Sequence, residues 1–505
     1  MNPHMYTFLF VMVLIFSFAD AYGNGANDVA NSFATSVSSG TLTLTQAVCI
    51  AIVTEFCGAY FLGSGTANTI SGGIIDVTQF SNQPELLMLG MTMSVLGSAT
   101  WVIFATSQGW PVSSTHSITG AIIGMSIAAY GGGSVKWGYD GVAKIVTSWF
   151  VSPLIAGVVA SIIFLVTKYA VLQHQNSFKR GLLAIPVYVF IAFWVNITFI
   201  ISKGLPGTKA VNWSFKKIVG ISCAISAGIG LLAFIFYSNW LRRKIQNRED
   251  MKIWMIFVSP FIGTQPIIPE TTEDDIKATK EASDLEAQAV ENKPLTRIDK
   301  IKKIIFNGVN QEVRNLNNPR LADIHARAKK YDNDTELLFE FIQVLTACAA
   351  SFAHGSNDVA NSVGPLSTVY RIWQTGKVPG KSVSVAAWNL AFCAAGIDVG
   401  LATYGYHIMR ALGNNVTYTT PSRGFAAELG TSLTIVTASK IGLPVSTSHC
   451  ITGAMVGVGL CNGDWRAINW KMFGITFLSW VITLPFAGLA SGLLFAFVAY
   501  SPMKV

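Results

Sequence analysis

The chain has 505 residues, a net charge of +8, a mean hydropathy of +0.46, 51% hydrophobic residues and only 12% charged ones. A water-soluble globular chain carries about 25% charged residues, so this composition excludes an ordinary soluble domain and points to a polytopic membrane protein. The positive balance does not indicate nucleic acid: 17 of the 35 Lys+Arg lie between residues 238 and 335 together with 15 of the 27 acids, which leaves the apolar remainder a modest basic excess of the kind that orients membrane helices.

In chain order, 5-MYTFLFVMVLIFSFADA-21 is an apolar run without the basic flank of a secretory signal, and it reads as the first half of a membrane helix. It leads directly into 23-GNGANDVANS-32. Further runs at 86–107, 142–167, 183–202, 216–237 and 470–500 are each near or above the ~20 residues that cross a bilayer. The expected organisation is therefore three blocks: an apolar block 1–237, a charged block 238–336 and a second apolar block 337–505. The middle block holds 270-ETTEDD-275 and 298-IDKIKKIIF-306, the latter reading as either an amphipathic surface helix or a solvated linker. Flanking Arg242, Arg243, Lys244, Lys329 and Lys330 place this block in the cytoplasm. The seven cysteines have no CxxC spacing and read as small apolar residues.

The two apolar blocks repeat each other. Asn-Asp-Val-Ala-Asn-Ser occurs in 23-GNGANDVANS-32 and in 355-GSNDVANSVG-364, and 111-PVSSTHSITGAIIG-124 is echoed by 444-PVSTSHCITGAMVG-457. Two motifs in the same order at nearly one offset define a duplicated unit. Membrane proteins built from two repeats place their substrate site where the repeats meet. Similarity alone does not distinguish parallel from inverted repeats; segment counting favours inversion. The expected fold is all-α, with two inverted-topology repeats, broken helices, re-entrant helical hairpins and about 10–12 transmembrane segments.

Each motif suggests chemistry. Gly23, Asn24, Gly25 and Asn27, and Gly355, Ser356 and Asn357, are poor helix formers and predict an interruption of the helix beside Asp28 and Asp358. A carboxylate at membrane depth costs about 3 kcal/mol; with Asn27, Asn31, Asn357 and Asn361 these two supply side-chain oxygens suited to a hard cation such as sodium, or to a proton relay. In the second motif, Pro before Ser113, Ser114 and Thr115, and before Ser446, Thr447 and Ser448, predicts a capped helix start, whose free N–H groups form an anion site. His116 and His449 read as structural. Glu55 and Glu428 also lie in apolar runs and read as functional, with Asp398 and Lys440 at even odds. Two helix N-termini and six hydroxyls suit a tetrahedral oxyanion. Nearby carboxylates disfavour sulfate but accept a protonated phosphate or one accompanied by cations. The two aspartates also admit an intramembrane aspartyl protease, but that class needs Gly-x-Gly-Asp, and here Asn27 precedes Asp28.

The pairs 25-GANDVANSF-33 with 355-GSNDVANSVGPLS-367 and 111-PVSSTHSITGAI-122 with 444-PVSTSHCITGAM-455, together with 422-SRGFAAEL-429 and 352-FAHGSNDV-359, resemble the inorganic phosphate transporter family, which includes the sodium–phosphate symporters of fungi and animals. The resemblance implies alternating access by inverted repeats, usually as a homodimer, in a multi-pass protein of the plasma membrane. Carried over, it implies phosphate binding by Asp28, Asn31, Ser113, Ser114, Thr115, Asp358, Asn361, Ser446, Thr447 and Ser448. It implies sodium binding by Asn27, Asp28, Asn357 and Asp358, and transport-essential roles for Glu55 and Glu428. Sodium serves as coupling cation, with no other cofactor and no enzymatic activity. Proton coupling on the same fold stays open as the alternative. Ser356 departs from the alanine common at that place.

Overall fold

The computed structural model describes residues 2–65, 67, 70, 73–139, 141–203, 213–268, 311, 319–380, 383–440 and 445–501. The stretches 270–275 and 298–306, and Pro444, lie outside the described residues. The first motif falls in a stretch that is helical from Thr7 to Ser39: α1 (Thr7–Asn24), a wide π-turn (Gly25–Val29) and α2 (Ala30–Ser39). There follow α3 (Leu44–Leu62), α4 (Pro84–Ser107), α5 (Ser114–Tyr130), α6 (Val142–Thr167), α7 (Ser177–Lys203) and α8 (Phe215–Leu232). The second block contributes α9 (Glu340–Thr375), α10 (Ala387–Tyr404), α11 (Tyr406–Val416), α12 (Pro421–Lys440), α13 (Thr447–Leu460) and α14 (Trp470–Tyr500). Among the described residues no strand forms beyond isolated bridges such as Ile75–Val135.

Eight helical stretches among the described residues are long and apolar enough to cross a membrane. Helices α10 and α12 match them in length, but Asn389, Arg423 and Glu428 on these helices are buried against protein. Helices α5 and α13, at 17 and 14 residues, rise about 25 and 21 Å, less than the ~30 Å hydrocarbon core. The solvation pattern is inverted relative to a soluble protein. Leu154, Val158 and Ile162 on α6, and Leu489, Leu493 and Phe497 on α14, are exposed, whereas Asp28, Glu55, Asp358 and Glu428 are buried. An apolar exterior around a polar interior is what a bilayer solvent requires.

The duplication is visible in the packing. The order α1/α2–α3–α4–α5–α6 recurs as α9–α10–α12–α13–α14, and partners are exchanged: α1 packs on α10 while α9 packs on α3, and α5 packs on α14 while α13 packs on α6. The glycines of the ITGAIIG and ITGAMVG segments explain the second exchange. A Cβ on Gly120 or Gly124 would collide with the backbone of Leu484 or Gly488, and one on Gly453 or Gly457 with that of Pro153 or Gly157. Helices in lipid gain little from apolar burial against each other and rely on such close backbone approach.

Candidate functional site

The interruption expected at the first motif takes a milder form. In the first copy the chain loosens into the π-turn Gly25–Val29, and in the second the α-helix runs through Gly355, Ser356 and Asn357 without a break. The glycines serve close approach instead: a Cβ on Gly25 would strike the carbonyl of Ile397, and one on Gly355 that of Glu55. Helix propensity is a local preference that tertiary packing overrides. Single-turn π-bulges occur frequently at functional sites, and this one carries Asp28. The adjacent Asn27 donates to Thr106 Oγ1 (2.9 Å) and to the Trp110 carbonyl (3.0 Å) and accepts from the Val112 N–H (3.0 Å). Its amide thus anchors the loop that leads into α5.

The second motif forms the capped helix starts expected of it. Ser113 and Ser446 are the N-caps of α5 and α13, their hydroxyls accepting from the His116 and His449 N–H groups. Those two oxygens accept the capping bonds, which leaves their O–H groups as donors. The following hydroxyls face the aspartates. Asp28 accepts from the Ser114 N–H (3.2 Å) and from the Ser448 hydroxyl, and Asn31 donates to Ser448 Oγ (2.7 Å). In the other half Asn361 donates to Ser114 Oγ (2.9 Å) and Thr115 Oγ1 (3.4 Å), and Thr447 donates to Asp358 (3.1 Å). Each half thus sends an asparagine to the other's helix start. Asp28, Asn31, Ser114, Asp358, Asn361, Thr447 and Ser448 form one buried polar nucleus, with Thr115 half-buried beside it; Asn357 is half-buried on the same turn as Asp358. His116 and His449 meet edge to face at 4.5 Å and pack on Trp149 and Trp480, which fits their structural reading.

Of two further buried carboxylates, Glu55 connects to this nucleus through His354 and Glu428 is held by donors of its own. Glu55 accepts from Ser351 (2.8 Å) and contacts His354 Nδ1 (2.9 Å), whose Nε2 lies 2.7 Å from Asp358. Glu428 accepts from Thr35 (2.5 Å), Ser36 (2.9 Å), Thr346 (2.5 Å) and Gln343 (3.4 Å). Asp398 is half-buried, and the side chain of Lys440 lies outside the described residues. His354, Gln343 and Thr346 escaped the sequence reading. For His354 a signal existed: it precedes Asp358 by four residues on one helix face. Asp20, a buried acid in an apolar run, was also passed over although such an acid is itself a signal.

The electrostatics are one-sided. Among the described residues, His354 is the ion-pair partner of these acids, and no Lys or Arg nitrogen pairs with them. Ligand atoms of Asp28, His354 and Asp358 lie within 4.8 Å of one another, a spacing that could hold a metal ion. Buried carboxylates without cationic partners favour capture of a cation or a proton, while two capped helix N-termini beside them favour an anion.

These features define a multi-span helical membrane protein with a buried polar seam between its two duplicated halves. The chain belongs to the phosphate transporter family, whose model matches residues 24–491; it is therefore a membrane transport protein, not an enzyme. It is 36% identical to a phosphate-repressible phosphate permease of Neurospora crassa over 99% of this chain and 98% of that protein. It is 28% identical to sodium-dependent phosphate transporter 2 of Xenopus laevis, covering 93% and 94% of the two chains. A solved structure titled as the sodium-dependent phosphate transporter superposes with a TM-score of 0.71 at 27% identity, covering 97% of this chain and 99% of that one.

Proposed function

We propose that this chain imports inorganic phosphate together with sodium ions, as a homodimer in the plasma membrane. The two repeats are inverted and rock about the seam to give alternating access, and residues 238–336 form a cytoplasmic connection between the membrane blocks 1–237 and 337–505. Phosphate is held by the N-termini of α5 and α13 through Ser114, Thr115, Thr447 and Ser448, with Asn31 and Asn361 steadying the hydroxyls. Sodium is held at Asp28 and Asp358, and Glu55 and Glu428 are needed for transport.

One observation carries this reading. A cluster of buried carboxylates whose cationic partner among the described residues is one histidine lies directly against two helix starts that favour anions. Neither ion is well accommodated alone: the anion meets the carboxylates and the cation meets the dipole ends. Bound together they neutralise each other, which is the physical basis of obligatory coupling. The sodium-dependent relatives support sodium as the cation. The test is radiolabelled phosphate uptake into reconstituted vesicles at fixed pH with sodium replaced by choline. Loss of uptake is expected, and unchanged uptake refutes sodium coupling.

A second reading has its own observation. The continuous chain Glu55–His354–Asp358 has the composition of a proton relay. In that case uptake persists in choline and rises as external pH falls.

A further inference from the structure

About 12 Å before Asp28 along the helix, α1 buries Asp20 close to oxygen atoms that make no well-aligned hydrogen bond. Asp20 is 2% exposed. Its Oδ2 accepts from Ser362 on α9 (2.6 Å), whereas its Oδ1 is unpaired. Ser98 on α4 stands beside the same carboxyl, its hydroxyl within reach of Asp20 but in no well-aligned hydrogen bond. Ser17 and Asn24, one turn to either side of Asp20 on the same face of α1, are fully buried, and Ser17 Oγ and Asn24 Oδ1 have no partner.

Two comparisons within the chain set this cluster apart. Some buried helix hydroxyls bond back to their own helix, as Thr92 does to Met88, Thr106 to Val102 and Ser222 to Ile218, while others, such as Ser152, Ser226 and Thr452, have no partner but also no neighbouring unmet acid among the described residues. Ser17 and Ser98 do not bond back either, and Asp20 is near them. Glu428 is the acid at the matching junction of the other half, between α2, α9 and α12, and four donors satisfy it. Asp20, between α1, α4 and α9, has a well-aligned donor in Ser362 and leaves its Oδ1 unmet. An unmet buried acceptor costs roughly 1–3 kcal/mol, and a carboxylate with further unmet oxygens one turn away on its own helix face is suited to a hard cation.

We propose that Asp20, with Ser17, Asn24, Ser98 and Ser362, is an additional binding site for a monovalent cation of the sodium type, separate from the Asp28–Asp358 pair. It rests on the sodium-coupled reading above. Asn24 connects the two places: its amide donates to the Asp358 backbone carbonyl (2.9 Å), so a cation drawing on Asn24 Oδ1 orders the helix turn that carries Asp358. The site therefore reports sodium to the phosphate nucleus without touching phosphate.

The experiment measures labelled sodium and labelled phosphate entering the same reconstituted vesicles. In Asp20→Asn and Asp20→Leu the sodium-to-phosphate ratio is expected to fall by one and sodium activation to become less steep. The milder Ser98→Ala and Ser362→Ala are expected to raise the half-activating sodium concentration several-fold while phosphate KM at saturating sodium stays within twofold. An unchanged ratio and an unchanged activation curve in the Asp20 variants overturn the proposal. So does an unchanged ratio with an altered pH profile, which makes Asp20 a proton carrier. If the Asp20 variants do not fold, unchanged sodium activation in both serine variants overturns it. Sodium-independent uptake by the unaltered protein would instead refute the coupling reading on which the site depends.

Discussion

The bond between Asn31 and Ser448 joins residues 417 positions apart, and its strength can be isolated. The Ser448 hydroxyl donates to Asp28, with the Val112 carbonyl also in reach (3.1 Å), while its oxygen accepts from Asn31. Ser448→Ala removes a hydrogen bond to a charged group, worth about 1.5–3 kcal/mol. With tenfold per ~1.4 kcal/mol, that predicts a loss of phosphate kcat/KM of roughly one to two orders of magnitude. Asn31→Ala removes the bond to Ser448, worth about 1 kcal/mol or roughly fivefold, together with a longer one from the same amide to Asp28 (3.4 Å). Because both single variants lose that same bond, the double variant should fall short of the sum by about 1 kcal/mol. The assay is initial-rate phosphate uptake in vesicles, normalised to inserted protein. The second half offers an independent repeat with Asn361→Ala and Ser114→Ala, whose bond is 2.9 Å. Additivity within about 0.3 kcal/mol in both cycles would show that the halves are not joined by these contacts in the transporting state, and the seam argument would fail.

Three other outcomes are expected. Asp28→Asn and Asp358→Asn should each abolish phosphate uptake while leaving monodisperse protein on size-exclusion chromatography; near-normal uptake by either removes that half from the site. Gly124→Val and Gly457→Val push two backbones apart and should cost about 3 kcal/mol each, seen as aggregation after detergent extraction, whereas Gly228→Val, with nothing within 4 Å, should behave as the parent. Outside the membrane, hydrogen bonds from Arg243 hold the Glu249 carboxyl down to about 2 from its usual 4.5. A depressed acid stabilises the fold above its unfolded pKa and loses that contribution as pH falls through its folded one. The 243–268 segment should therefore loosen between about pH 4.5 and 2, followed by fluorescence of Trp240, whose indole bonds the Lys252 carbonyl (3.0 Å). Glu249→Gln should be weakened already at neutral pH and flat across that window.

What could be read without coordinates depended on how local the physics is. The N-caps at Ser113 and Ser446 were legible because a capping hydroxyl meets an N–H three residues on. Asp28, Asp358, Glu55 and Glu428 were legible because an acid in an apolar run is expensive wherever it points. The glycines of the first motif were misread because a missing Cβ has two uses, loosening a helix or admitting a neighbour, and only the crossing partner decides between them. For Gly25 that partner is Ile397, in the other repeat. The donors around Glu428 were invisible for the same reason: Thr35 lies 393 residues away and Thr346 82, and each alone is an unremarked hydroxyl in a helix.

This division bears on mechanism. The legible elements, caps and acids, are the ones each repeat supplies by itself, and in the proposed reading each half sets a carboxylate against its own helix start. The illegible elements are the contacts between repeats, Asn31 to Ser448 and Asn361 to Ser114, and they bring the two half-sites into one. If the repeats move against each other during transport, these are the bonds that must break, so the affinity of the site is tied to the position of the halves. A carrier that exposes its site alternately to two sides needs that dependence. Local motifs alone would yield two permanent weak sites, whereas bonds across the seam yield one site that forms and dissolves with the movement.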